Sequence, residues 1–474
     1  MGQREYTRQE VIDLEYQGRG IVKPEGRTVF VDGVLPREVI DLRITRRKRD
    51  HAFGSPMRWH VRSPQRVEPF CSHFSDCGGC AWQYLPYPAQ AAYKERFVRE
   101  IMQRIGGIEE PVPLPIIACE NDTYYRNKLE YSFAPKRWIP QEEVESKVAI
   151  EDRRAFGFHV RGRFDRVLNV EKCYLQPDPS NSIRDAARDV ALSGDYTFHD
   201  PVAHSGLLRS LIIRTTRDGE TMVVLVIGEE QPEMAVRFLS ALCEKAGSIT
   251  SAHYIINTTR NDDIGPHAAF HVFGSPTITE RCGHLSLVIH PKSFYQTNSA
   301  QAESLYGVVR EWADCSGKEA LLDCYCGIGS IALFLADMCR TVAGVEVVDE
   351  AVECARENAT KNRIGHARFH TGDVRTLLRS AGGVTTSPHA IPRPDIIVLD
   401  PPRSGVHPDV LLELMRIAPR QIIYVSCKPT TQARDLTRLC ERYSITRIQP
   451  VDMFPHTFHI ENVVDLRLRK SNDA

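Results

Sequence analysis

A chain of 474 residues with 60 Lys and Arg against 61 Asp and Glu has a formal net charge of −1, so no global field draws it to a polyanion or an acidic membrane, although a local basic patch is still allowed. No apolar run approaches the roughly 20 residues of a membrane helix, and the start, Met1-Gly2-Gln3-Arg4-Glu5-Tyr6, has no signal-peptide apolar region, which predicts a cytoplasmic protein with no membrane partner. Fourteen cysteines in such a chain point to reduced thiols, metal ligands or catalysis rather than disulfides.

The length predicts two to four domains. The first segment alternates apolar and polar residues: Val11-Ile12-Asp13-Leu14-Glu15, Gly18-Arg19-Gly20-Ile21-Val22, Thr28-Val29-Phe30-Val31, a turn at Asp32-Gly33, then Glu38-Val39-Ile40-Asp41-Leu42-Arg43-Ile44. Short strands with glycine turns predict a small barrel of the oligonucleotide-binding kind. Its far edge is basic, with Arg43, Arg46, Arg47, Lys48, Arg49, Arg58, Arg62 and Arg66 around Trp59 and His60. Basic residues interleaved with rings suit a phosphate backbone and stacked bases; the competing reading is a solvated charged face.

Cys71, Cys77 and Cys80 then fall within ten residues around Gly78-Gly79. Thiolates this close suit a shared metal or cluster, with Cys173 or Cys119 as a candidate fourth ligand, and four thiolates can bind zinc or an iron–sulfur cluster. Ala89 to Ile105 has helical periodicity, and Pro111-Val112-Pro113-Leu114-Pro115 is a linker. The next part is mostly strands: Lys128 to Phe133, Ala155 to Val160, Arg166 to Val170, and a hairpin of Leu211 to Arg214 and Met222 to Ile227 turning at Asp218-Gly219.

From about Phe294 strands alternate with helices, which predicts a parallel sheet with crossover helices. Ala320 to Ser330 reads as a strand, a glycine loop and a helix start, where a ligand can approach the backbone closely. The next strand ends on Glu346, about where a Rossmann-like unit places its ribose-binding carboxylate. A further strand ends at Asp400-Pro401-Pro402-Arg403. The loop lacks the three-glycine fingerprint that seats a pyrophosphate. Its acids instead suit S-adenosylmethionine: Glu346 the ribose diol, Asp323 and Asp400 the cationic centre. The apolar run Ile422-Ile423-Tyr424-Val425 reads as a buried strand that delivers Cys427 to the carboxyl end of the sheet, where ligands of open α/β folds sit. A small buried hydrophobe is the competing reading of that cysteine.

Taken together these stretches resemble the RNA uracil-C5 methyltransferase family, in the cluster-containing type that modifies 23S ribosomal RNA. The resemblance covers nearly the whole chain. It rests on the four-cysteine set, Ser293-Phe294-Tyr295-Gln296-Thr297-Asn298, the loop Asp323 to Gly329, Asp400-Pro401-Pro402-Arg403-Ser404-Gly405, Val425-Ser426-Cys427-Lys428-Pro429, and Asp452-Met453-Phe454-Pro455-His456-Thr457 with Glu461. It implies a multidomain protein: an OB-like TRAM domain over residues 1–66, a central α+β domain over 67–290, and a Rossmann-like α/β methyltransferase domain over 291–474, with the helix 89–105 packed on the last. It implies S-adenosylmethionine held by Gln296, Tyr325, Glu346 and Asp400, and a 4Fe-4S cluster on Cys71, Cys77, Cys80 and Cys173. Cys427 is implied as nucleophile, Glu461 as base, and Phe294 as a ring near the flipped base. Two residues depart from the pattern: Ser330 where some members have a cofactor-contacting Asn, and Phe458 where Gly is usual.

The chemistry explains the residue types. Uracil C5 is too weak a nucleophile to take a methyl group unaided; a thiolate adding to C6 makes it an enolate, and a base must then remove the C5 proton. The target base must leave its stack to be reached. The implied partner is RNA, 23S ribosomal RNA first and transfer RNA second, acted on by a monomer. The rivals are a methyltransferase of an exocyclic amine, which needs no cysteine; a C5-cytosine enzyme, which lacks the terminal His-Thr…Glu pattern; and a non-catalytic RNA-binding iron–sulfur protein.

Overall fold

The computed structural model describes residues 4–146, 152–380, 391 and 393–470. Among them, strands form a six-stranded N-terminal sheet, a seven-stranded central sheet, a two-stranded hairpin and a seven-stranded C-terminal sheet.

The N-terminal sheet runs in the order Glu5–Glu10, Val39–Arg47, Ala52–Val61, Val29–Val31, Gly20–Val22, Asp13–Leu14. Alternate residues Ile40, Leu42 and Ile44 bury with Val11, Val22, Val29 and Val31 into its core. The basic edge is only partly free. Arg66 and Trp59 are drawn inward to the buried Glu38, Arg66 by two bonds of 2.6 and 2.9 Å and the Trp59 indole N–H by one of 3.0 Å. A buried carboxylate requires such partners, so these two residues serve the domain's own fold. Arg43 pairs with Glu5, whereas Arg46, Arg47, Lys48 and Arg49 are exposed.

The central sheet has the order Ala269–Gly274, Ser251–Ile256, Thr221–Ile227, Leu208–Thr215, Lys128–Ala134, Ala155–His159, Val167–Asn169. Its middle strands, Leu208–Thr215, Thr221–Ile227 and Ser251–Ile256, are buried on both faces, and each face needs a cover. Helices Ser180–Ser193 and Pro232–Ala246, absent from the strand-rich reading of this region, cover one face through Ile183, Ala187, Phe238 and Leu239 against Leu211, Ile213, Val223 and Leu225. Ile212, Met222, Val224 and Ile255 point the other way and join the core of the C-terminal sheet. The hairpin Ile278–Cys282 and Leu285–Ile289 precedes residue 291 in sequence, yet its apolar residues pack with Leu305, Val309 and Ala332 in that same core.

The C-terminal sheet runs Ala367–Thr371, Thr341–Glu346, Ala320–Cys324, Ile396–Leu399, Gln421–Ser426, Glu461–Leu468, Tyr443–Val451. The first five strands are parallel, Glu461–Leu468 runs antiparallel to them, and Tyr443–Val451 pairs antiparallel with Glu461–Leu468. Helix Tyr87–Arg104 starts with proline in its first turn and is followed by Gly106-Gly107. It packs Phe97, Val98, Ile101 and Met102 with Leu436, Leu439 and Ile448 of this C-terminal unit. No described helix is long and apolar enough to cross a membrane.

Candidate active site

Register places Cys427 and Glu461 side by side. Ser426 is opposite Asn462 in the antiparallel pair Gln421–Ser426 and Glu461–Leu468. One step further, Cys427 leaves its strand beside Glu461, the first residue of the next. Residues opposite each other on adjacent strands stand about 4.5–5.5 Å apart. Parallel pairing aligns Leu399 with Tyr424, so Asp400 emerges at the same end of the sheet.

Gln296, Tyr325, Glu346, Asp400, Cys427 and Glu461 all line a single cavity of about 1570 Å³, together with Asp323, Phe294 and Arg403. The glycine loop shapes one wall. Tyr325 takes φ +66°, and Gly329, at φ +80°, starts the helix Ser330–Phe334; a Cβ on Gly329 would meet the Phe369 ring at 2.9 Å. The Glu346 carboxylate accepts the backbone N–H groups of Gly327 (3.2 Å), Val347 (2.7 Å) and Val348 (3.1 Å), which fixes it at its strand end. Gln296 is buried, and its carbonyl accepts from the Asn127 amide. Phe294 is 70% exposed at the cavity wall. Ser330 also lines the cavity, its hydroxyl 3.1 Å from that of Tyr306. The Phe458 ring is tilted 43° to that of His459, with centroids 4.5 Å apart, and packs against the core of the sheet.

The cavity is crowded with carboxyl groups. Burial, with Asp400 adding to it, pushes Asp323 and Glu461 well above the ordinary carboxylate range. Burial alone pushes Asp400 up to about 7. Among the described residues Asp323 Oδ1 and Glu461 Oε2 have no hydrogen-bond partner. Burial and the carboxylates of Glu461 and Asp400 push the Cys427 thiol up to about 11, while Arg403 opposes them. A cation-binding cavity is what these groups describe: a buried positive centre would relieve every one of them. Arg403 has no role in the sequence reading of the site, yet it is the basic group that faces both Cys427 and Glu461. Its sequence signal was its place directly after Asp400-Pro401-Pro402.

Asp400 yields a pH prediction. Below about pH 7 it is protonated in the free protein, and a bound sulfonium must displace that proton. Affinity for S-adenosylmethionine is therefore expected to fall as pH drops through about 7, by up to about tenfold per unit. The neutral thioether S-adenosylhomocysteine should show little change. Calorimetric titrations of both ligands across this range check it; parallel curves for the two would refute it.

A second cavity, of about 350 Å³, is lined by Cys71, Cys77, Cys80 and Cys173. The His73 ring accepts the Glu171 N–H at 3.0 Å, tying the cysteine loop to the segment that carries Cys173. Cys119, the other candidate for a fourth ligand, is elsewhere, with the Asn298 amide 3.4 Å from its sulfur. Burial raises all four lining thiols, Cys80 to about 12 and Cys173 to about 11. No group of three or more His, Cys, Asp or Glu among the described residues is arranged to hold a metal ion.

Comparison with known proteins agrees with this geometry. Residues 283–469 match the family model of tRNA (Uracil-5-)-methyltransferase. An uncharacterized RNA methyltransferase of Bacteroides thetaiotaomicron is 44% identical over 96% of this chain and 99% of its own length. One from Porphyromonas gingivalis is 40% identical over 96% and 98%. Among solved structures, the Pyrococcus abyssi tRNA (uracil-54, C5)-methyltransferase in complex with S-adenosyl-L-homocysteine superposes with a TM-score of 0.74 at 26% identity, covering 97% of this chain and all of that one. With relatives this similar along nearly its whole length, the chain belongs to the RNA (uracil-5-)-methyltransferase family and is an S-adenosylmethionine-dependent enzyme.

Proposed function

We propose that this protein makes 5-methyluridine in 23S ribosomal RNA, with Cys427 as nucleophile and Glu461 as base. The observation that carries the mechanism is the strand register that sets Cys427 beside Glu461 at the floor of the cavity. S-adenosylmethionine supplies the methyl group as a sulfonium cation, held by Gln296, Tyr325, Glu346 and Asp400.

Cys427 adds as thiolate to C6 of the extruded uracil, helped by Arg403. The C5 carbon, now enolate-like, takes the methyl group, and the cofactor departs as a neutral thioether. Glu461 then removes the C5 proton and the C6–S bond breaks, restoring the double bond and the thiolate. The electrostatics give this order a reason. While the sulfonium is present, its charge favours ionised carboxylates. Glu461 regains a high proton affinity once that charge is gone, which is when a proton must be taken. Phe294, exposed at the cavity wall, is placed to stack on an unpaired base.

The four-thiol cavity supports a 4Fe-4S cluster, on the side of the chain that carries the Cys loop. Protein purified without air is expected to be brown and to contain iron and acid-labile sulfide, both lost in a Cys71→Ser, Cys80→Ser variant; stoichiometric zinc without sulfide would defeat this. For the N-terminal sheet domain, read as TRAM-like, Arg46, Arg47, Lys48 and Arg49 form a run of four exposed cations. Neutralising all four should weaken RNA binding and flatten its salt dependence by a few units of slope, with the single-turnover rate at saturating RNA unchanged. Unaltered binding across salt concentrations would make the patch a merely solvated face.

A second reading, transfer RNA as substrate, is favoured by one observation: the full-length match to the Pyrococcus abyssi enzyme, whose substrate is tRNA uracil-54. Mapping 5-methyluridine in 23S RNA and transfer RNA, with and without the protein, decides between them. Loss of a site from 23S RNA supports the first reading, and loss confined to transfer RNA replaces it with the second.

A further inference from the structure

The turn joining the last two strands, Asp452 to Ile460, delivers Glu461, and it makes few hydrogen bonds of its own. Groups from distant parts of the chain hold it instead. The Asp452 carbonyl accepts from the Gln301 amide at 2.9 Å, and the Met453 carbonyl from Asn298 at 3.1 Å. The Phe454 carbonyl accepts from Lys94 Nζ at 3.0 Å and the Pro455 carbonyl from the Tyr125 hydroxyl at 3.0 Å. The His456 carbonyl accepts the Ala81 and Trp82 N–H groups at 2.7 and 3.1 Å. Five consecutive carbonyls are thus held from outside the two strands the turn connects.

Helix Tyr87–Arg104 contributes two side chains that are entirely buried. Lys94 Nζ also donates to Asp452 Oδ1 at 2.7 Å, an ion pair with both side chains fully inaccessible. Gln90 ties that turn to the Trp82–Leu85 turn: its Oε1 accepts the His456 N–H at 2.8 Å, and its Nε2 donates to the carbonyls of Leu85 (2.8 Å) and Trp82 (3.1 Å). His456 sits at φ +62°, a conformation unfavourable for a side chain with a Cβ. It persists only when the surroundings over-determine it. A buried ion pair is a poor source of stability compared with apolar packing, and its better-attested use is to select one conformation.

We propose that Gln90 and Lys94 are positioning residues for Glu461: they hold the Asp452–His456 turn in the one arrangement that aims the carboxylate at C5 of the substrate. This rests on the reading of Glu461 as base. The placement gives the enzyme a specific dependence. The helix lies in sequence between the cysteine loop and the first strand of the central sheet, so docking of that loop and helix completes a site whose chemistry lies more than 300 residues further on.

The test separates the two chemical steps. RNA transcribed with 5-tritiated uridine reports proton removal as released tritium. Methyl-labelled cofactor reports transfer, and a denaturing gel reports the protein–RNA adduct. Lys94→Met with Asp452→Asn removes both charges and keeps an oxygen for the Phe454 N–H that Asp452 caps. Gln90→Leu, made separately, disturbs no charge. In both, cofactor binding and single-turnover methyl transfer are expected to persist while tritium release slows about tenfold to a hundredfold and the adduct accumulates. Equal loss of both steps in variants that bind cofactor would show a merely structural role and overturn the proposal. So would wild-type release in Gln90→Leu, whether or not the double variant still binds cofactor. Glu461→Gln run in parallel keeps the two ideas apart. If it yields no adduct, the base assignment fails; if it does while both helix variants release tritium normally, only the positioning role fails.

Discussion

Replacing Cys427 by alanine is expected to abolish methylation while cofactor binding persists. The thiol is the proposed nucleophile, and it lines the cavity just past the end of a fully buried strand. Without it the C5 carbon never becomes nucleophilic, and neither Arg403 nor Glu461 can substitute. Loss of a covalent nucleophile costs several orders of magnitude. Alanine should keep the strand and the proposed cofactor site, because Gln296, Tyr325 and Glu346 come from other elements of the fold. The check is single-turnover transfer of labelled methyl to RNA beside a cofactor titration. Turnover above about a hundredth of wild type would sink the nucleophile assignment.

Glu461→Gln should give a different phenotype: the adduct forms, the methyl group is transferred, and release stalls. Glutamine preserves the shape and can still hydrogen-bond, but it cannot take the C5 proton. General base catalysis is worth about 10²–10⁴-fold, and elimination should slow by that order. Glu461 is 3% exposed, and among the described residues its Oε2 has no partner, so little else restrains the carboxylate from facing a substrate. A methylated protein–RNA band that survives denaturation is the expected result. A variant that forms no adduct and loses cofactor binding would make Glu461 a structural residue.

The amino-acid sequence by itself determined the parts of this protein whose physics is local. Strands buried on both faces read as apolar runs, and Leu321-Leu322, Ile396 to Leu399 and Ile422 to Val425 are all strands of one sheet. The strand ends were equally legible, because a glycine loop, Asp400-Pro401-Pro402 and Cys427-Lys428-Pro429 are turn chemistry written in adjacent residues. The helix Tyr87–Arg104 was readable from its period as Ala89 to Ile105, within two residues at each end.

Other features depended on partners distant in the chain. The helices Ser180–Ser193 and Pro232–Ala246 form because the central strands need a cover. Arg66 and Trp59 look like an RNA surface in sequence, but a buried Glu38 claims them. Cys173 rather than Cys119 joins the three clustered thiols, a choice made by where two segments cross. Only the antiparallel insertion of Glu461–Leu468 next to Gln421–Ser426 sets Cys427 beside Glu461. Register and crossing are properties of pairs of segments, set by long-range burial and hydrogen bonding, so the tertiary structure decided which of the legible residues meet.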